Sequence, residues 1–314
     1  MKKRVFLLLA AALFLFVNIY GEEKELVLHS PTGDIYGTLL MPDQGTKSDR
    51  VVLLICGSGP TDRDGNNPQL KGNSIKYLAE ALSAAGIPSV RYDKRGIAAS
   101  QKAGASEADL RFTTYVDDAE GWIDLLSKDY KKIIVAGHSE GATIGTLATI
   151  ARPKVSALVL IAGPARPADE ILKIQMADQP QMVKDMIFPM IDTLKKGETI
   201  DNVSPMLYSL FRPSVQPYMI SWFAVNPAQS LSQVKVPTLI IQGDKDIQVA
   251  VEEAELLHQA QPKAQKEIIP TMNHVFKPCE TTDKMAQMAV YGNSSIKNCP
   301  VFDEAVTRFI QSVK

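Results

Sequence analysis

Ile134-Val135-Ala136-Gly137-His138-Ser139-Glu140-Gly141-Ala142 is the stretch from which the rest of the chain can be read. An apolar run led in by Lys131, Lys132 and Ile133 ends at Gly137, Ser139 follows inside Gly-x-Ser-x-Gly, and Ala142 to Ala148 has helical character. Strand, sharp turn and helix in that order form the context of a nucleophile elbow. Such a turn forces Ser139 into a strained backbone conformation, and Gly137 and Gly141 let strand and helix pack closely around it. The serine hydroxyl is then presented at the carboxyl edge of a sheet. The first N–H groups of the helix, beginning with Glu140, point to where an oxyanion would form.

Upstream of this stretch, Leu26 to His29 and Ile35 to Leu40 flank a Pro31-Thr32-Gly33-Asp34 turn and predict a hairpin. Arg50 to Cys56 is a continuous apolar run, as expected of a strand buried on both faces. Helices are expected from about Ser74 to Ala85 and from Phe112 to Ser127, with a strand over Pro88 to Tyr92 between them. Downstream, Ala157 to Ile161 is again strand-like. The rhythm breaks between about 168 and 230, where helical stretches carry Met176, Met182, Met186, Met190, Met206 and Met219 with several aromatic residues. It resumes with strands at Val236 to Ile241 and Lys266 to Ile269 and helices at Val251 to Gln259 and Phe302 to Val313. Strands alternating with helices imply a mostly parallel α/β sheet of about eight strands, opened by an antiparallel hairpin. The break is a helical lid inserted before the penultimate strand. Two readings of its methionines stay open: an adaptable apolar wall for the cleft, or simply the core of the insertion.

Lys2, Lys3 and Arg4 precede an unbroken apolar run from Val5 to Val17, and the acidic Glu22 and Glu23 follow. Charge, length and order describe a secretory leader over 1–21, too short to span a bilayer as a retained anchor. The expected organisation is therefore a leader (1–21), a first part of the core (22–167), the lid (168–230) and a second part of the core (231–314). The mature chain should be exported, without stable membrane insertion. Removing the three basic residues makes a formal charge of −1 more acidic, and no basic cluster offers a footprint for nucleic acid. In an oxidising compartment the three cysteines matter: Cys279 and Cys299 bracket a polar segment, while Cys56 ends an apolar strand. A Cys279–Cys299 disulfide with Cys56 free is expected, contributing about 3 kcal/mol in the chain-entropy model.

A serine needs a base, and the base needs an orienting group. Of His29, His138, His258 and His274, only His274 sits in a loop after a late strand, where a base can reach Ser139. His138 adjoins the serine and packs beside it. For the acid, Gly243-Asp244-Lys245-Asp246 follows the strand ending at Ile241, and on turn chemistry both aspartates qualify. The order Ser, Asp, His differs from that of the two major serine protease folds. No metal-ligand spacing and no phosphate loop in the right context is present, so no cofactor or metal is expected.

Gly-His-Ser-Glu-Gly at 137–141, Gly-Asp-Lys-Asp at 243–246 and Asn-His-Val-Phe at 273–276 together resemble the α/β-hydrolases, from about residue 24 onward. More narrowly the chain resembles the lidded serine esterases and lysophospholipase-like hydrolases of the serine aminopeptidase type. The resemblance implies that the acid is Asp246 rather than Asp244. It also implies that Cys56-Gly57-Ser58-Gly59-Pro60 stands where the family has a His-Gly motif, so that the N–H of Ser58 is the second oxyanion donor beside that of Glu140. Cys56 replaces the family histidine. Asp62, Arg63 and Asp64 bring charge near the mouth, for substrate or for turn and ion-pair roles; the turn Arg91-Tyr92-Asp93-Lys94-Arg95-Gly96 matches a structural motif and is assigned no chemistry. The function so implied is hydrolysis of small or medium carboxylic esters through an acyl-enzyme on Ser139, with a small-molecule ester as partner. The same triad supports peptidase or thioesterase work. A peptidase should hold its substrate's amino terminus with lid carboxylates, and Asp169, Glu170, Asp178, Asp185 and Asp192 look instead like solvated helix faces. A non-catalytic binding module on the same fold is the remaining alternative, disfavoured by an intact triad.

Overall fold

Val51, Leu53 and Ile55 face one apolar layer while Val52 and Leu54, between them, face another. Ile133 and Val135 alternate with Ile134 and Ala136 in the same way. Side chains alternate across a strand, so a continuous apolar run can be satisfied only by a sheet covered on both faces. The computed structural model, which describes residues 21–42, 48–104 and 106–314, has that architecture. The expected leader falls almost wholly outside the described residues.

The chain runs β1 (Glu23–Ser30), β2 (Gly33–Leu40), β3 (Arg50–Ile55), α1 (Ser74–Ala84), β4 (Ser89–Tyr92), α2 (Phe112–Leu126), β5 (Lys132–His138), α3 (Glu140–Ala151) and β6 (Val155–Ile161). Five helices follow without a strand: α4 (Ala168–Gln175), α5 (Gln181–Lys195), α6 (Tyr208–Phe211), α7 (Gln216–Phe223) and α8 (Pro227–Leu231). Then come β7 (Thr238–Gly243), α9 (Val251–Ala260), β8 (Gln265–Ile269), α10 (Lys284–Tyr291) and α11 (Pro300–Ser312). The strand order is β1-β2-β4-β3-β5-β6-β7-β8, antiparallel in the first two pairings and parallel thereafter. Residues of α1 and α11 cover one face, and α2, α3, α9 and the inserted helices belong to the layer on the other. The α/β-hydrolase fold expected from the sequence is therefore present, with the helical insertion between β6 and β7.

The cysteines depart from expectation. Cys56, Cys279 and Cys299 are all free and buried, so the expected Cys279–Cys299 bridge is not formed. The segment between the last two is no simple polar loop. It contains α10, capped by Asp283, whose carboxylate accepts from the N–H of Ala286 at 2.9 Å. The Cys279 sulfur donates instead to the carbonyl of Thr281 at 3.4 Å, and burial pushes the Cys299 and Cys56 thiols up to about 11 and about 12. Reducing agent should accordingly leave the melting curve unchanged; a lower melting temperature under reduction would show that the bridge forms after all.

Candidate active site

Ser139 caps α3 with φ 53° and ψ −119°, a positive φ that a side-chain-bearing residue tolerates only where its surroundings hold it. The turn is tight enough that a Cβ on Gly137 would lie 2.0 Å from the carbonyl oxygen of Gly141. Only glycine lets β5 pass so close to α3, which is the physical content of the Gly-x-Ser-x-Gly spacing.

His274 lies in the loop after β8. Buried Asn273 shapes that loop, its side-chain oxygen accepting from the N–H groups of Val275 and Lys277 at 3.1 and 3.0 Å. Nδ1 of His274 is 2.7 Å from Oδ2 of Asp246, in the loop after β7. Asp246 is well anchored. Its Oδ1 accepts from the N–H groups of Gln248 and Val249 at 2.7 and 2.9 Å, and Oδ2 also accepts from Gln242 at 2.8 Å. Asp244 instead accepts from the N–H of Thr271 at 2.6 Å and pairs with Lys245, tying two loops together. The geometry thus puts Asp246, not Asp244, behind the imidazole. Asp246→Asn is expected to reduce kcat by about 10⁴-fold through loss of the required tautomer, and Asp244→Asn by far less; steady-state kinetics on both variants would reverse the assignment if the order were opposite.

Ser139 and His274 line one cavity of about 160 Å³, together with Ser58, Gln248, Val275 and Tyr291. No hydrogen bond joins the serine hydroxyl to the imidazole among the described residues, which is common before substrate binds. Ser58 stands on the wall of this cavity as an exposed residue, and Glu140 is the first residue of α3 with its side chain buried beneath the turn. A larger cavity of about 480 Å³, lined in part by Arg95, Glu107 and Tyr115, contains none of Ser139, Asp246 and His274.

The charged residues near the mouth are occupied structurally: Arg63 pairs with Asp93 and Asp64 with Arg91, both at 2.7 Å. The lid methionines do not line the Ser139 cavity either; Met182 and Met206 are 72% and 75% exposed. His29 pairs with Asp34 at a hairpin, far in sequence from these loops. Among the described residues no group of three or more His, Cys, Asp or Glu could hold a metal ion, and no helix is long and apolar enough to cross a membrane.

Two features escaped the sequence reading. His138 is more than a packing neighbour. Its Nε2 lies 2.9 Å from the backbone carbonyl of His274, which can only accept, so Nε2 carries the hydrogen. Burial, and then the neighbouring His274, hold it well below the usual histidine range, so it is neutral and ties the base's loop to the elbow. The second is a buried pair: Lys94 Nζ lies 3.0 Å from Oε2 of Glu140, both side chains almost fully enclosed. Burial alone would lower the Lys94 pKa, but Glu140 beside it raises the net value.

Residues 71–204 match the family model of serine aminopeptidase, S33, a span that includes Ser139 but neither Asp246 nor His274. The esterase EstD of Thermotoga maritima is 27% identical over 248 residues, covering 75% of this chain; the chain spans about half, 54%, of that protein's length. Among solved structures, the ferulic-acid-bound Est1E of Butyrivibrio proteoclasticus is similar with a TM-score of 0.63 at 18% identity, covering 92% of this chain and 98% of that one. The Pyrococcus furiosus esterase PF2001 gives 0.59 at 16% identity, with 93% and 91% covered. These likenesses and the serine elbow agree on one architecture: the chain has the α/β-hydrolase fold.

Proposed function

We propose that this chain is a serine hydrolase of carboxylic esters, working through an acyl-enzyme on Ser139. The observation that carries the reading is the anchored Asp246–His274 pair facing the cavity in which the strained Ser139 sits. His274 takes the serine proton as Oγ attacks the ester carbonyl, and Asp246 holds the imidazole with Nδ1 protonated and stabilises its charged form. The N–H groups of Ser58 and Glu140 stabilise the tetrahedral oxyanion. His274 then protonates the leaving alcohol, and water, activated by the same imidazole, hydrolyses the acyl-enzyme.

An ester is favoured over a peptide amino terminus because, among the described residues, the cavity wall carries no carboxylate to receive an ammonium group. At about 160 Å³ it is smaller than the pockets that enclose drug-sized ligands, which favours short acyl groups. The esterase names of the relatives agree with this reading. We further propose that the chain is exported, on the basic–apolar order of its first residues.

The test is a ladder of p-nitrophenyl esters from acetate to palmitate, run with the protein and its Ser139→Ala variant. Ser139-dependent hydrolysis with a short-chain optimum is expected. Silence across the ladder, with turnover of aminoacyl amides, would replace the esterase by a peptidase. Sequencing the amino terminus of the protein recovered outside the cytoplasm checks the leader: cleavage near Gly21 is expected.

A further inference from the structure

The buried Lys94 forms part of a chain of contacts that runs through the reacting loops. Its side chain is 2% exposed. One ammonium hydrogen bond goes to the backbone carbonyl of Gly57 at 2.6 Å, another to Glu140 at 3.0 Å, and the Tyr115 ring lies 5.0 Å away. Glu140 receives its other bond from the hydroxyl of Tyr218, on α7 of the inserted helices. A buried ion pair is poor evidence of stability, since well-packed apolar residues in its place are often as stable or more so. What this pair does supply is orientation.

The carbonyl that Lys94 holds belongs to the same peptide unit as the N–H of Ser58. No peptide bond among the described residues is cis, and in a planar trans unit the C=O and N–H point in opposite directions. Pulling the Gly57 oxygen inward therefore turns the Ser58 hydrogen outward. Outward here is the cavity: Gly57, Ser58 and Ser139 all line it, and a Cβ on Gly57 would sit 3.2 Å from Cβ of Ser139. Residue 57 is a glycine, so little intrinsic preference opposes rotation of this peptide by half a turn. That rotation would aim a carbonyl oxygen at the place where negative charge develops.

We propose that Lys94 is a positioning residue for the oxyanion hole, latching the Gly57–Ser58 peptide so that the Ser58 N–H faces the oxygen bound to the attacked carbon. The proposal rests on the ester-hydrolase reading, and its effect should be confined to the transition state.

The experiment compares the protein with Lys94→Met in two measurements: hydrolysis of a p-nitrophenyl ester, and affinity for an alkyl trifluoromethyl ketone. The ketone probes the hole directly. The Ser139 oxygen adds to the ketone carbon, the serine proton passes to His274, and the former carbonyl oxygen becomes the oxyanion. Lys94→Met should lower kcat by about 100-fold with little change in KM, and weaken ketone binding by a similar factor. Because Lys94→Met strands the Glu140 carboxylate, Lys94→Met/Glu140→Gln is made alongside and should fold if the single variant does not, with the same two losses. A folded variant with undiminished ketone affinity, or a loss confined to KM, overturns the proposal. The esterase reading can fail separately: if the protein cleaves no ester yet binds the ketone at Ser139, the Lys94 comparison still stands on ketone affinity alone. Absence of ketone binding by the protein itself would overturn both.

Discussion

Alanine at Ser139 is expected to lower kcat for an activated ester by roughly 10⁶-fold, and alanine at His274 by nearly as much. The double variant should lose no more than either single one. The reason is that the two side chains perform a single step: without the imidazole the hydroxyl keeps its proton, and without the hydroxyl the imidazole has nothing to activate. Residual catalysis would come from N–H donors and binding, which neither change removes. Both variants should fold normally. Ser139 carries its strain in the backbone rather than in hydroxyl contacts, and His274 is held by its carbonyl bond to His138, which alanine retains. Losses that multiplied in the double variant would mean that the two act in separate steps, and the triad would have to be redrawn.

The other large effect is on folding. Gly137→Ala should abolish recovery of folded protein or depress its stability by on the order of 5 kcal/mol. The added methyl would meet the carbonyl oxygen of Gly141 at 2.0 Å and its carbon at 2.4 Å. Both contacts are with backbone, so no rotamer change relieves them, and separating β5 from α3 would open the centre of the sheet. Circular dichroism melts of Gly137→Ala beside Ser139→Ala read the contrast: two neighbouring positions, one required for the fold and one for chemistry. A Gly137→Ala protein melting within a few degrees of the parent would show that the elbow has slack the structure does not suggest.

That contrast also explains what was legible in the sequence. The elbow was readable because its determinants are local: an apolar strand, two small residues and a helix within a few positions. The sheet's alternation with helices was readable for the same reason, through runs such as Arg50–Ile55. Asp244 and Asp246 were not separable by turn chemistry, since either could end a strand. What separates them is a contact 28 residues away, between Asp246 and His274. The Lys94–Glu140 pair spans 46 residues, and Lys94 sits in a turn whose motif reads as purely structural. No periodicity announces a buried lysine. His138 packs beside the elbow as its position implies, but its bond to the base's loop is not legible because the partner is a backbone carbonyl, which leaves no trace in residue types. The cysteines misled by position: flanking a polar stretch says nothing of whether two sulfurs can meet, and an eight-residue helix occupies the stretch between them.

The placement of acid and base on the last two strands bears on how the molecule is made. β7 and β8 lie at one end of the strand order, and their loops carry Asp246 and His274, more than 100 residues after the serine. As the chain is synthesised, the elbow can take shape while its partners do not yet exist. Reactivity is thus withheld until the final strand has paired with β7. On the proposed mechanism a nascent chain has no assembled triad, and the onset of ester cleavage during refolding is expected to time the docking of that last edge.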